Sequence, residues 1–275
     1  MHIRAKKALA GFLAEDIGKG DITSNLLPRK KISAKIISRQ HGIIAGVQYA
    51  KEIFVSKGCQ VKIIKKDGSH VTPSEEIMII SGMAQSILSC ERTALNILSR
   101  MSGIATQTNL LVQKIRKINP RVHLYSTRKT APGLRFFDKE AVTIGGGHKH
   151  RLSLDQMVMI KDNHLVVSGS VYPLLEKARK KHKKIEVEVE NLHDAIVSAQ
   201  GGASIIMLDN MTTKEISQVV NTLKKLGLRN KVKLEASGGI DSTNIQAYAK
   251  TGIDMISVGK ITSSVVGLDL SLEVN

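Results

Sequence analysis

The chain has no tryptophan, and aromatic residues make up only 3% of its 275 positions. Few ring faces are therefore available on which the bases of a single-stranded nucleic acid could stack. Its two cysteines, Cys59 and Cys90, are too few for a disulfide framework and lack metal-ligand spacing. Both read as reduced, buried thiols of a cytoplasmic protein. No apolar run approaches the roughly 18–20 residues that span a bilayer, so no membrane partner is expected. The opening MHIRAKKALAGFLAEDIGKGD has only a short apolar run followed by acids, so a signal peptide is not expected either. A GxGxxG turn is also missing, which counts against a dinucleotide-binding sheet.

The chain is rich in positive charge: 41 Lys and Arg against 24 Asp and Glu give a formal net charge of +17. Nucleic acid is one explanation for such an excess. The basic residues are spread along the chain rather than gathered in a tail, and stacking residues are scarce. An anionic small substrate therefore fits better, and no nucleic-acid partner is expected.

Charge is densest between residues 127 and 164. Arg128, Lys129, Arg135, Lys139, Lys149, Arg151 and Lys161 alternate there with His148, His150 and His164, after the glycines Gly145, Gly146 and Gly147. Cations so close together repel one another unless an anion lies between them. A solvated basic loop is the plainer reading of such a run. The glycines, the histidines and the apolar run Met157–Ile160 that delivers Lys161 favour a pocket for a highly charged anion. The histidine spacing matches no zinc pattern.

The second half repeats short apolar, β-branched runs that each end in a polar residue or glycine. VHLYS (122–126) leads to Thr127, Arg128 and Lys129; MVMI (157–160) to Lys161; SIIML (204–208) to Asp209. KIEVEVE (184–190) carries Glu186, Glu188 and Glu190 on one strand face, because alternate residues point the same way. VKLEA (232–236) ends at Ser237, Gly238 and Gly239, and DMISV (254–258) at Gly259. Helical spacing fills the intervals at 171–181, 192–200, 213–227 and 242–251. Strands alternating with helices make parallel β/α units, and polar residues at nearly every strand end suit a barrel rim. Residues 1–104 differ, with strand-like alternation at 30–46 and 59–71 and a long helix over 87–118. The expectation is an α+β domain over 1–104 and a barrel over 105–265, with LDLSLEV (268–274) returning to the first domain's sheet.

ERTALNILSRMSGIAT (91–106), TRKTAPGLR (127–135), GGGHKHR (145–151), IKDNH (160–164), EVEVENL (186–192), LDNM (208–211), SGGI (237–240) and SVGKIT (257–262) follow in this order. With EDIGKGDIT (15–23) and IIAG (43–46), they resemble the quinolinate phosphoribosyltransferase family over nearly the whole chain. The resemblance implies an α+β sandwich domain followed by an open α/β barrel, working as a homodimer or homohexamer. It also implies transfer of phosphoribose from 5-phosphoribosyl-1-pyrophosphate to quinolinate with Mg2+, releasing pyrophosphate and CO2 and giving nicotinate mononucleotide for NAD biosynthesis.

By match to the family pattern, Thr127, Arg128, Lys129, His150, Arg151 and Lys161 would bind substrate, with Arg92 supplied across the subunit interface. Glu188 and Asp209 would stabilise the ribosyl cation or hold Mg2+, and Lys129 is counted with them as catalytic. Ser237, Gly238, Gly239, Val258, Gly259 and Lys260 would cradle the 5-phosphate. The chain departs from the pattern at Lys149, where Asn is usual, at Ser74 and Ser153, where Gly is usual, and at Ser263, where His is usual. Three other readings stay open: a ModD-like relative using another aromatic acid, a Schiff-base aldolase built on Lys161, and a nucleic-acid-binding protein.

Overall fold

The computed structural model describes residues 3–274, which form two compact units. The first comprises the chain up to 109, residues 130–146 and the chain from 261; the second comprises 110–129 and 147–260.

The first unit contains α1 (Ile3–Ile17), β1 (Lys31–Ser38), β2 (Gly42–Ile43), α2 (Val47–Ser56), β3 (Gln60–Ile63), β4 (His70–Val71), β5 (Glu76–Met83) and most of α3 (Ala84–Arg116). It also holds α4 (Arg135–Ile144) and β12 (Leu270–Val274). Its main sheet runs β12-β1-β5-β3, every pair antiparallel. β1 shows the alternation that such a half-covered sheet requires. Ala34 and Ile36 are buried, while Lys35 between them reaches Glu76 at 3.3 Å. The C-terminal strand lies against β1 from Ala34↔Val274 to Ser38↔Leu270. Gly103 on α3 is required by close approach, because a Cβ there would sit 2.1 Å from the Val266 carbonyl oxygen.

Helix α4 shows why the dense basic window is not a single pocket lining. Arg135 and Lys139 belong to this first unit, and Lys139 is 1% exposed. Asp138 is completely buried and accepts two hydrogen bonds from Arg100, from Nε at 2.8 Å and Nη2 at 3.0 Å. Part of the window is thus structural, and its burial explains why residues 130–146 pack with the N-terminal residues instead of with the barrel strands on either side.

The second unit contains β6 (His123–Ser126), β7 (Val158–Ile160), α5 (Asp162–Ser168), α6 (Val171–Arg179), β8 (Ile185–Val189), α7 (Leu192–Gln200), β9 (Ile205–Asp209), α8 (Thr213–Lys225), β10 (Lys233–Ser237), α9 (Ile245–Ala249) and β11 (Met255–Val258). Its six strands are all parallel in the order β6-β11-β10-β9-β8-β7. Placing the first strand beside the last is the ordering of a rolled-up β/α sheet. A parallel bridge from Tyr125 to His148 adds a further rung at the β6 edge. Alternate residues face the helices. Val187, Val189, Ile206, Leu208, Leu234, Ala236, Ile256 and Val258 are all buried, as are Ile216, Val219, Val220 and Leu223 of α8. α8 begins in a capping box: the Thr212 hydroxyl accepts from the Glu215 amide, and Glu215 accepts from the Thr212 amide.

The roll of this sheet can be demonstrated from side chains. In a flat sheet with the usual spacing of about 4.8 Å per strand, five steps would put roughly 24 Å between the segment beside β6 and β8. Yet the side-chain donor atoms of His150 from that segment, Glu186 of β8 and Glu235 of β10 all lie within 4.8 Å of one another. The sheet curls until its interior faces meet, which is the expected open α/β barrel.

Candidate active site

The barrel strands deliver their C-terminal residues to one rim. β6 is followed by Thr127, Arg128 and Lys129, and β7 by Lys161; Glu188 lies one residue from the end of β8; β9 ends at Asp209 and β10 at Ser237; Gly259 follows β11. The register supports this grouping, with Ser237 beside Asp209 and Val258 beside Ser126. Glycines bring the neighbouring loops into contact. At Gly259 a Cβ would approach Lys129 Cδ to 3.1 Å and Thr127 Oγ1 to 3.4 Å. At Gly238, where φ is +89°, it would lie 2.2 Å from Asn210 Oδ1 and 2.7 Å from the Asn210 amide nitrogen. Only glycine fits there, by conformation as well as by space.

Along β8 the three glutamates grade from interior to solvent: Glu186 is buried, Glu188 half-buried and Glu190 exposed. Glu188 forms a short ion pair with Lys161. The Lys161 side chain is thereby held against the neighbouring strand β8. The Asp209 carboxylate, on the neighbouring strand, accepts from the Asn210 side-chain amide at 2.7 Å. The main chain of Lys161 donates to His164 Nδ1 at 2.9 Å, which makes His164 a helix-start residue of α5.

Arg128 and Arg151 are the two guanidinium groups of this unit that the sequence singles out. Burial lowers the Arg151 pKa and the nearby Arg128 charge lowers it further, against the pull of Glu186 and Glu188. Arg128 Nε is buried without a hydrogen-bond partner. Arg151 donates to the Met157 carbonyl at 3.1 Å and contacts Met159 Sδ at 3.1 Å. Two cations pressed together, one with an unused buried donor, form a receptor for an anion with more than one negative charge.

His150 is turned inward. Its Nδ1 accepts from the Arg151 amide at 2.8 Å, and its Nε2 lies 3.1 Å from Glu186 and 3.5 Å from Glu235. Burial alone would keep the ring neutral; the carboxylates outweigh it and raise the pKa to about 9. The Arg151 amide opposes that charge, because it needs a lone pair on Nδ1 that the imidazolium lacks. The geometry therefore favours a proton on Nε2 facing the carboxylates, while burial pushes the Glu186 carboxyl up against the opposing pull of His150 and Arg151. Glu235 is not singled out by the sequence. An acid in the apolar run VKLEA signals an interior partner, but nothing in the run names it.

Tyr125 stacks on His148 with centroids 4.9 Å apart, and burial and His123 lower the His148 pKa. A cavity of about 720 Å3 is lined by His150 and Arg151 together with Tyr125 and Met157, and it extends to His123, Lys184, Ser204 and Lys233 at the N-terminal ends of the strands. Lys260 is exposed and lies 3.6 Å from Asp241. Arg92 is exposed on α3 in the first unit.

Residues 21–102 match the N-terminal domain model of quinolinate phosphoribosyl transferase, and residues 104–273 match the C-terminal domain model. The chain is 45% identical over 255 residues to an Archaeoglobus fulgidus protein named "Probable nicotinate-nucleotide pyrophosphorylase (carboxylating)", covering 93% of this chain and 98% of that one. It is 35% identical over 265 residues to the Rattus norvegicus nicotinate-nucleotide pyrophosphorylase (carboxylating), covering 95% and 88%. A Francisella tularensis nicotinate-nucleotide pyrophosphorylase structure superposes with a TM-score of 0.92 at 38% identity, covering 99% of this chain and 96% of that one. The Ehrlichia chaffeensis structure gives 0.94 at 34% identity, covering all of both chains.

Proposed function

Because the chain belongs to the quinolinate phosphoribosyltransferase family, we propose that it transfers phosphoribose from 5-phosphoribosyl-1-pyrophosphate to quinolinate with decarboxylation. The products are nicotinate mononucleotide, pyrophosphate and CO2, which makes the enzyme a pentosyltransferase of NAD biosynthesis. The observation that carries the reading is the pair of crowded guanidiniums, Arg128 with its unpartnered buried Nε and Arg151 beside it. Quinolinate has two adjacent carboxylates, and planar guanidinium forks match them.

In this reading Arg128 and Arg151 hold the dianion and orient its ring nitrogen. Lys129 adds positive charge, and Thr127 lines the same strand end. Bond breaking at the anomeric carbon sends its electron pair to pyrophosphate and leaves a ribosyl cation. Glu188 and Asp209, on neighbouring strand ends, stabilise that cation, and the ring nitrogen then attacks it. Lys161 pairs with Glu188 and aims it at the rim. Main-chain N–H groups of Ser237, Gly238, Gly239, Val258, Gly259 and Lys260 receive the 5-phosphate, a role suited to glycine loops. Attachment of the sugar makes the ring cationic, so the electrons of the breaking C–CO2 bond fall toward that nitrogen. The ring carbon then takes a proton from water. No separate general base is required.

Mg2+ fits the donor set. It prefers oxygen, keeps several waters, and is commonly held by one or two carboxylates plus substrate phosphates; Glu188 and Asp209 would supply the carboxylates. When bound, it would neutralise charge on the departing pyrophosphate. We further place the enzyme in the cytoplasm as a homo-oligomer, with Arg92 completing a partner subunit's site. That no helix among the described residues is long and apolar enough to cross a membrane is consistent with this.

The test is release of CO2 from carboxyl-labelled quinolinate. Release should require both phosphoribosyl pyrophosphate and Mg2+. Arg128→Ala or Arg151→Ala should lower kcat/KM by about 10²-fold, from charge-assisted bonds worth roughly 1.5–3 kcal/mol. Well-folded protein that releases no CO2 would refute the assignment.

A further inference from the structure

Two carboxylates in the barrel interior take no part in the mechanism above. Glu186 and Glu235 each have 0% exposure, so neither touches a substrate at the rim. Burying a carboxylate without strong partners is expensive, and burying two side by side more so. The four oxygens of this pair are nevertheless without a well-aligned hydrogen bond, as is the His150 Nε2 they surround. The ring nitrogen points between the two acids, 3.1 Å from one and 3.5 Å from the other.

The feature that gives this arrangement a purpose is the main chain of His150. Its φ is +53°, in the left-handed region that costs a residue with a Cβ about 1–2 kcal/mol. The residue after this bend is Arg151. Both ring nitrogens of His150 fasten the bend: Nδ1 accepts from the Arg151 amide at 2.8 Å, and Nε2 is anchored on the two acids. If the anchor were removed, the bend would relax toward ordinary backbone and the Arg151 side chain would leave its direction.

We propose that Glu186 and Glu235 are positioning residues that hold His150 in its left-handed conformation and so aim Arg151 at the substrate carboxylate. The inference rests on the reading of Arg151 as a quinolinate ligand. His150 then acts from behind, through the main chain, with Nδ1 bound to the Arg151 amide and Nε2 directed between the two acids. The two carboxylates are the groups through which β8 and β10 reach the His150 ring. A divalent cation held by the same three side chains is the rival explanation, since one imidazole nitrogen and two carboxylates suit such an ion.

Three variants of Glu235 in the full chain separate these accounts. Glu235→Gln keeps length and an acceptor for the Nε2 proton, and should keep the quinolinate KM within about threefold of wild type. Glu235→Leu removes the acceptor, and Glu235→Asp withdraws it by one methylene while keeping the charge. Both should raise the quinolinate KM about tenfold or more, the scale expected when a binding group is misplaced by about 1 Å. The KM for phosphoribosyl pyrophosphate should change little. Should the leucine variant fail to fold, the aspartate variant carries the test.

Aspartate and leucine variants indistinguishable from wild type would overturn the proposal. A glutamine variant as impaired as the leucine one would also overturn it, and stoichiometric divalent metal in the purified protein would identify a metal site instead. Equal damage to both KM values and kcat would mark a general structural defect and refute specific positioning. Absence of wild-type turnover would refute the function itself, and the positioning role with it; intact wild-type turnover isolates the cluster.

Discussion

Asp138→Ala should destabilise the protein without touching its chemistry. The Asp138 carboxylate is wholly buried and bound twice by Arg100, whose side chain is 23% exposed. Removing one member of a buried pair typically costs about 3–5 kcal/mol, because the remaining charge is left uncompensated. Arg100 retains some water and also donates to the Thr262 carbonyl at 3.2 Å, which places the loss nearer about 2–4 kcal/mol. An unfolding entropy of about 2.1 cal/mol/K per residue gives roughly 0.6 kcal/mol/K for 275 residues, and so a fall in Tm of about 3–7 °C. Circular dichroism melts measure this directly. Arg100→Met combined with Asp138→Leu should recover most of the loss, since an apolar pair of similar volume often replaces a buried ion pair without penalty. Below the melting range, the quinolinate KM of Asp138→Ala should stay within about twofold of wild type. A Tm shift below about 1 °C would show that the ion pair does not hold α4. A large rise in quinolinate KM with normal stability would place Asp138 in the substrate pocket and refute the structural assignment.

Ser74→Gly should raise the Tm by about 1–2 °C, because Ser74 sits at φ +71° and its amide bond to the Ser38 carbonyl survives the change; a lower Tm would refute the strain. Burial raises the Cys59 thiol pKa, and Cys90 is pushed up to about 12 by burial and by Cys59. The thiolate is the reactive form, so at pH 8 a disulfide reagent should modify the folded chain about 10²-fold more slowly than the chain in guanidinium. Two rapidly titrating thiols in the folded protein would contradict this. The same shift makes the buried thiols favour folding fully below about pH 9, with that contribution lost as pH rises toward about 12.

What the sequence makes legible follows from which interactions are local. A barrel strand alternates and ends in a turn, so each parallel strand could be placed within a residue or so: 204–208 against Ile205–Asp209, 232–236 against Lys233–Ser237. α8 announces itself by its spacing and by the Thr212–Glu215 box. Strand ends carry the rim residues, so Lys161, Glu188 and Asp209 follow once the strands are known. Pairings across the barrel are another matter. KIEVEVE says that Glu186 and Glu188 share a face, but only the roll of the sheet decides that one meets a histidine 36 positions back and the other a lysine. Glu235 becomes meaningful only when β10 is brought opposite the loop that carries His150. The basic window misleads for the same reason: its charges look equivalent in sequence, yet α4 draws Asp138 into a core while Arg128 stays at a strand end. The departures from the family pattern show the converse. Ser74, a departure from the pattern of the resemblance, adopts the conformation that glycine favours, φ +71°. The turn between β4 and β5 is held from outside, by the Ser74 amide donating to the Ser38 carbonyl at the end of β1 at 2.8 Å. A side chain can be exchanged there at a modest cost in free energy, whereas Gly238 has no such latitude because Asn210 occupies the space a Cβ would need.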